Sequence, residues 1–340
     1  RYAVDEYLRV NPKNRVVILT DRKSSELARP IYNASVRRTS DVHFFVIEDY
    51  CTGKRRKFPG EMMCLFEDPK QKVVSFYLTQ ENYPDRFELL KLGDPVVDLI
   101  DLEYPKHIKH VCLPGLTKKI MQQGFCVPRD IVKKYSTLIH HRLRKTKRIE
   151  ITSPAGTDLE LKLDPKNIGW VKEDHISYGT WKNLPLGEVY TSPIDCNGKL
   201  VIDCLIGGYE SKYGFGFLRR YPITFKIKKG KVAEISCKRA THLINLLGEE
   251  IFENDAVANQ IGEIGFGTNF GLTGLIGNIL QDEKFPGVHI AIGSSMPDCG
   301  KAWRSRNHAD LIMLYPHVFV DARPLIWNGK YELNGNKHKK

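Results

Sequence analysis

Near Lys147 the hydrophobic pattern of this chain changes period, and that change constrains the fold more than any other feature of the sequence. Upstream, short apolar runs alternate with helical stretches. Arg15-Val16-Val17-Ile18-Leu19-Thr20-Asp21 is apolar through its middle and ends in polar residues, the pattern of a parallel strand buried on both faces. Ser24 or Ser25 then offers an N-cap to a helix through Leu27, Ala28, Ile31, Tyr32 and Ala34, and strand-length apolar runs follow at 42–47 and 72–78. This rhythm predicts an α/β N-terminal domain over residues 1–147. Downstream the period shortens to two. Residues 148–152 and 159–163 alternate apolar with polar, and 223–227 and 232–236 flank the turn Lys228-Lys229-Gly230-Lys231 as a hairpin. With one helix at about 239–252, this predicts an α+β, antiparallel-sheet-rich C-terminal domain over 148–340. The length of 340 residues, about twice the ~100–200 of a single domain, fits that division.

Charge and cysteine usage narrow the function classes. The net charge of +12 raises the question of nucleic acid. The densest basic run, 140–148, has no aromatic residue to stack on a base, so it reads as a solvated helix end, and nucleic acid is not the expected partner. The eight cysteines form no CxxC pair and no dense framework, which argues against a thiolate zinc site and against a disulfide-stapled secreted module. No stretch approaches the ~18 apolar residues of a membrane helix and the first residues carry no apolar signal region, so the expectation is a cytoplasmic chain without a membrane.

The C-terminal half holds hard and borderline metal donors in unusual settings. Glu188 lies between Gly187 and Val189 in a segment bounded by Pro185 and Pro193. Glu263 lies in the glycine-dense stretch Ile261-Gly262-Glu263-Ile264-Gly265-Phe266-Gly267-Thr268-Asn269, where an unpaired carboxylate is costly to bury and a cation partner resolves the cost. His289 sits inside the strand-like run Gly287-Val288-His289-Ile290-Ala291-Ile292-Gly293. His308 and Asp310 are two residues apart, so on a strand they face one cation together. Carboxylate oxygen and imidazole nitrogen are the donors of hydrolytic metal sites.

In order and wording these segments resemble the thermophilic bacterial metallo-aminopeptidases, the aminopeptidase T and S group. Its members carry GEV(F/Y)T(A/S)P, E-(x)3-GTN, H(I/L)A(I/L)G and a terminal HxD. The chain reads Gly187-Glu188-Val189-Tyr190-Thr191-Ser192-Pro193, Glu263 followed by Gly267-Thr268-Asn269, His289-Ile290-Ala291-Ile292-Gly293 and His308-Ala309-Asp310. The resemblance covers roughly 148–325. It implies that Glu188, Glu263, His289, His308 and Asp310 bind two divalent ions (zinc, cobalt or manganese), with a carboxylate bridging and Glu188 and Glu263 also in catalytic roles. The implied activity is an aminopeptidase, a protease that releases N-terminal residues from a peptide or small amide, and the implied assembly is a homodimer. Which glutamate moves protons stays open. One departure is Met296, which stands where some members place a tyrosine that donates to the oxyanion. The same fold resembles that of 2,5-dihydroxypyridine dioxygenase, which implies an alternative: one Fe(II) held by His289, His308 and Asp310 for ring cleavage. The substrate pocket is expected at 209–217 and 298–307, with Lys301, Trp303, Arg304 and Arg306 available to a carboxylate.

Overall fold

The computed structural model describes residues 1–50, 60–80, 106–208, 216–300 and 303–333. These group into two compact units, 1–131 with 174–186, and 132–173 with 187–340. The first unit is α/β. Its five-stranded sheet is parallel throughout: Asn14–Thr20 pairs with Val42–Val46 on one side and Lys72–Thr79 on the other, followed by Ile108–Pro114 and Thr180–Asn183. The helix Ser25–Ser35 follows the first strand, as the sequence predicts.

The second unit is built on two sheets that share one apolar core. The eight-stranded sheet includes the hairpin of Arg148–Thr152 and Asp158–Lys162, which turns Ile149, Ile151, Leu159 and Leu161 inward. It also holds the predicted hairpin Ile223–Lys228 and Lys231–Ser236. Lys229 and Gly230 both take positive φ there, at 50° and 72°, the handedness a two-residue hairpin turn needs to match strand twist. The predicted helix is present as an α-helix over Thr241–Gly248 that widens into a π-turn over Glu249–Glu253. The basic run closes the helix Arg129–Leu143, where Arg142 donates to the carbonyls of Glu332 and Leu333, both at 2.6 Å.

The six-stranded sheet positions the site. Its order is Leu205–Ile206, His308–Ile312, Gly287–Gly293, Ile261–Gly267, Glu188–Thr191 and Val171–Glu173, with antiparallel pairing at each step. One face carries Val189, Ile264, Phe266, Val288, Ile290, Ala309 and Leu311 into the core shared with the eight-stranded sheet. The other face carries the acids and the histidines. Because both faces are covered, Ile261–Gly267 is buried at every position.

Candidate metal centre

Cross-strand pairing aligns the candidate ligands in rows. Glu263 pairs with Ala291, which pairs with Asp310; Gly265 pairs with Tyr190 and with His289; Gly267 pairs with Glu188, which pairs with Glu173. Directly paired residues share a face, so Glu173, Glu188, Glu263, His289 and Asp310 all project from the same side of the sheet, and His308, two residues before Asp310, joins them.

Two glycines make the arrangement possible. Gly187 has φ +123° and packs on the backbone of Asn269, which directs the chain into the strand that begins at Glu188. Gly265 lies beneath the donors themselves: a Cβ there would overlap the Nε2 and Cε1 of His289 and come within 2.8 Å of Glu188 Oε1.

The donors converge around His289. Its Nε2 lies 2.8 Å from Glu188 Oε1, 3.4 Å from Glu263 Oε1 and 3.8 Å from Asp310 Oδ1. His308 Nε2 lies 3.7 Å from Glu263 Oε2 and 3.6 Å from Asp310 Oδ1, while its Nδ1 is 3.3 Å from the carbonyl of Ser294, which orients the ring. Two triads result, Glu188 with Glu263 and His289, and Glu263 with His308 and Asp310, each with ligand atoms within 4.8 Å of one another. Glu263 belongs to both, one oxygen toward each histidine.

Three further charged groups that sequence reasoning missed complete the cluster. Lys284 touches Glu188 Oε2 and lies 3.0 Å from Glu283 Oε1 and 3.5 Å from Glu173 Oε2. Their sequence signal is slight: the charged run Asp282-Glu283-Lys284 enters an apolar strand, and Glu173 ends a three-residue strand. No periodicity marks a buried charge.

The electrostatics fit divalent cations. Among the described residues, five largely buried carboxylates (Glu173, Glu188, Glu263, Glu283 and Asp310) surround one ammonium, leaving four negative charges when all five are ionised and the imidazoles are neutral. Two divalent cations neutralise that surplus; one leaves half of it buried and uncompensated. The protonation pattern records the same excess. Burial, reinforced by Glu188 and Asp310, pushes the Glu263 carboxyl up to about 7, and burial pushes Glu283 up to about 8. Burial disfavours charge on His289, and partial desolvation does so on the more exposed His308, yet the acids outweigh both: His308 is held up at about 10, chiefly by Asp310, and His289 well above its usual range, chiefly by Glu188. Glu188 is likewise raised by burial and lowered more by Lys284 and His289, to about 2.

Beside the donors opens a cavity of about 500 Å³ whose lining includes His289, Glu283, Phe217, Leu275, Phe285 and Ile312. Phe217 belongs to an expected pocket loop, but 209–215, 301 and 302, including Lys301, lie outside the described residues. Trp303 is tied to the strand end instead, its indole N–H donating to Gly293 O at 2.9 Å, and the Arg306 N–H donates to Asp255 at 2.7 Å. Met296 packs with Ile168, Tyr190 and Cys299 in an apolar cluster.

The profile of the thermophilic metalloprotease (M29) family matches residues 132–311, more than half of the chain and the whole of the donor set. The chain belongs to this family. It is accordingly a metal-dependent hydrolase. Two solved structures share the fold: wild-type AmpT from Thermus thermophilus, 14% identical with a TM-score of 0.69 over 97% of both chains, and 2,5-dihydroxypyridine dioxygenase from Pseudomonas putida KT2440. The latter is 16% identical with a TM-score of 0.63 over 95% of this chain and 93% of that one. Among curated proteins none matches. The mixed α/β fold, with a parallel sheet and large antiparallel sheets, matches that of AmpT, and among the described residues no helix is long and apolar enough to cross a membrane.

Proposed function

We propose that the chain is an aminopeptidase that holds two divalent cations, zinc, cobalt or manganese, through Glu188, Glu263, His289, His308 and Asp310. The observation that carries this reading is the sharing of Glu263 between the two triads, in a cluster whose five carboxylates, when ionised beside neutral imidazoles, exceed its one ammonium by four charges. Bound there, such ions acidify a water and polarise a scissile carbonyl. The residues of the chain supply the rest. Glu188 Oε1 and His289 Nε2 form one end of the site, His308 and Asp310 the other, and Glu263 spans them. With cations bound beside it the Glu263 carboxyl would be held ionised, so its role is that of the shared ligand of the two triads and not of a proton carrier titrating near neutrality. Glu188 is held ionised and is suited to binding a cation or the free amine of a peptide, which would restrict attack to the first peptide bond. The apolar cavity beside His289 suits an apolar side chain at the substrate N-terminus.

The reading takes the protein to be a cytoplasmic homodimer. Cysteines spread along the chain with no CxxC pair and no dense framework support a reducing compartment, and the dimer, which rests on the family resemblance, is testable by light scattering.

The 2,5-dihydroxypyridine dioxygenase fold keeps one competitor in view, a single Fe(II) at His289, His308 and Asp310. The charge surplus weighs against it. The deciding experiment assays chelator-stripped protein anaerobically with zinc, cobalt or manganese on unblocked and N-acetylated short peptides, alongside metal analysis. Release of the N-terminal residue from unblocked peptides alone, with two ions per chain, is expected. Inert peptides together with oxygen uptake on a dihydroxylated aromatic ring in Fe(II) would overturn the proposal.

A further inference from the structure

Lys284 is, among the described residues, the one ammonium within the acidic cluster, and it is only 3% exposed. It follows the short helix Ile279–Asp282 and precedes the strand that bears His289. Its backbone is fixed on both sides: the N–H donates to Gln281 O and the carbonyl accepts from the Asn269 N–H, each at 3.0 Å. The side chain therefore reaches its partners from a rigid base. Those partners are Glu188 Oε2, Glu283 Oε1 at 3.0 Å and Glu173 Oε2 at 3.5 Å, so three carboxylates from three segments enclose one ammonium.

Such an enclosure has the chemistry of a cation site filled by the protein itself. Oxygen-rich, largely buried carboxylate triads attract hard divalent ions, and a free triad beside the two candidate sites would compete for the same metal. It would also free Glu188 to turn. At present Glu188 divides its two oxygens: Oε2 is occupied by Lys284, and Oε1 faces His289 at 2.8 Å.

We propose that Lys284 is a positioning residue that fills a third cation position of the cluster, bounded by Glu173, Glu188 and Glu283. It thereby leaves Glu188 only Oε1 to offer a cation and would exclude a third metal ion. The inference rests on the two-cation reading, but its signature is a difference between proteins and does not depend on the absolute count.

The test is metal stoichiometry, read by elemental analysis and by titration of chelator-stripped protein with Mn(II) alone. Lys284→Ala removes the charge and leaves space, so it is expected to bind one Mn(II) more per chain than the wild type, and to be more dependent on Mn(II) for thermal stability. Lys284→Arg restores the charge and is expected to return to the wild-type count, a rescue that a role in packing alone would not produce. If the alanine variant does not fold, the double variant Lys284→Ala/Glu173→Gln, with one negative charge removed, provides the same readout at lower affinity. An unchanged count in the folded alanine variant, or in the double variant, overturns the proposal, as does a gained ion that Lys284→Arg fails to reverse. A wild type that binds one ion while Lys284→Ala binds two would refute the two-cation reading and leave this inference standing.

Discussion

Replacing Gly265 by alanine puts a methyl group where the His289 imidazole already lies. Gly265 pairs with His289 across the sheet, and an added Cβ would overlap Nε2 and Cε1 of that ring and crowd Glu188 Oε1 at 2.8 Å. His289 is 1% exposed, so its ring has no solvent to move into and must rotate out of the cluster or push the strands apart. Overpacking of this kind costs about 1–3 kcal/mol of stability. The functional cost is larger, because displacing a reacting group by about 1 Å is enough to lose ~10²-fold in rate. Ile264→Val is the matched control. Ile264 is fully buried on the opposite face of the same strand, and losing one methyl there costs about 0.5–1.5 kcal/mol without touching a ligand. The assay pairs thermal denaturation with metal titration and peptide hydrolysis. Both variants should lose a few degrees, about 2–4 °C per kcal/mol for a unit of this size. Only Gly265→Ala should lose metal affinity and at least ~10²-fold in activity. If Gly265→Ala keeps wild-type metal affinity and turnover, or if Ile264→Val loses them, the two-faced construction of the site is wrong.

Further outcomes follow from the same geometry. His308→Ala and Asp310→Ala should each abolish metal-dependent hydrolysis while circular dichroism stays that of the wild type, because neither side chain belongs to the apolar core; wild-type-like turnover in either would remove it from the ligand set. In chelator-treated protein, Glu263 and Glu283 have pKa values raised above the ordinary carboxylate range to about 7 and about 8. The stability they contribute is therefore complete below about pH 4 and is lost as pH rises through 7 to 8, so Tm should fall from pH 5 to 8 and divalent metal should restore it most at pH 8. A Tm that rises over that interval without metal would contradict the charge surplus. Tyr331 donates from its buried hydroxyl toward Gly267 O at 2.9 Å and Gly287 O at 3.1 Å, so Tyr331→Phe should destabilise by about 1 kcal/mol in denaturant titration and leave metal stoichiometry unchanged.

By sequence alone, local pattern determined the classes of element, and the family resemblance singled out the candidate donors. The parallel strand at 14–20, the helix that follows it and the hairpin turning at Lys229-Gly230 are legible because period, capping and turn chemistry act over a few residues. The five candidate donors stand out as acids and histidines inside glycine-rich or apolar segments, where burial is costly without a cation, and the resemblance joins them into one set. Tertiary structure alone decided what meets what. The return of 174–186 to complete the parallel sheet at 180–183, and the placement of 132–143 with the second unit, depend on pairings made across long stretches of chain. The same holds for the cluster: only the register of four strands puts Gly265 beneath His289 and divides Glu263 between two triads. Lys284 is the sharpest case. A lysine in a charged run reads as solvated from sequence, and its burial among Glu173, Glu188 and Glu283 follows from the turn that carries it, because a charge is paid for by its spatial neighbours and not by its neighbours in the chain.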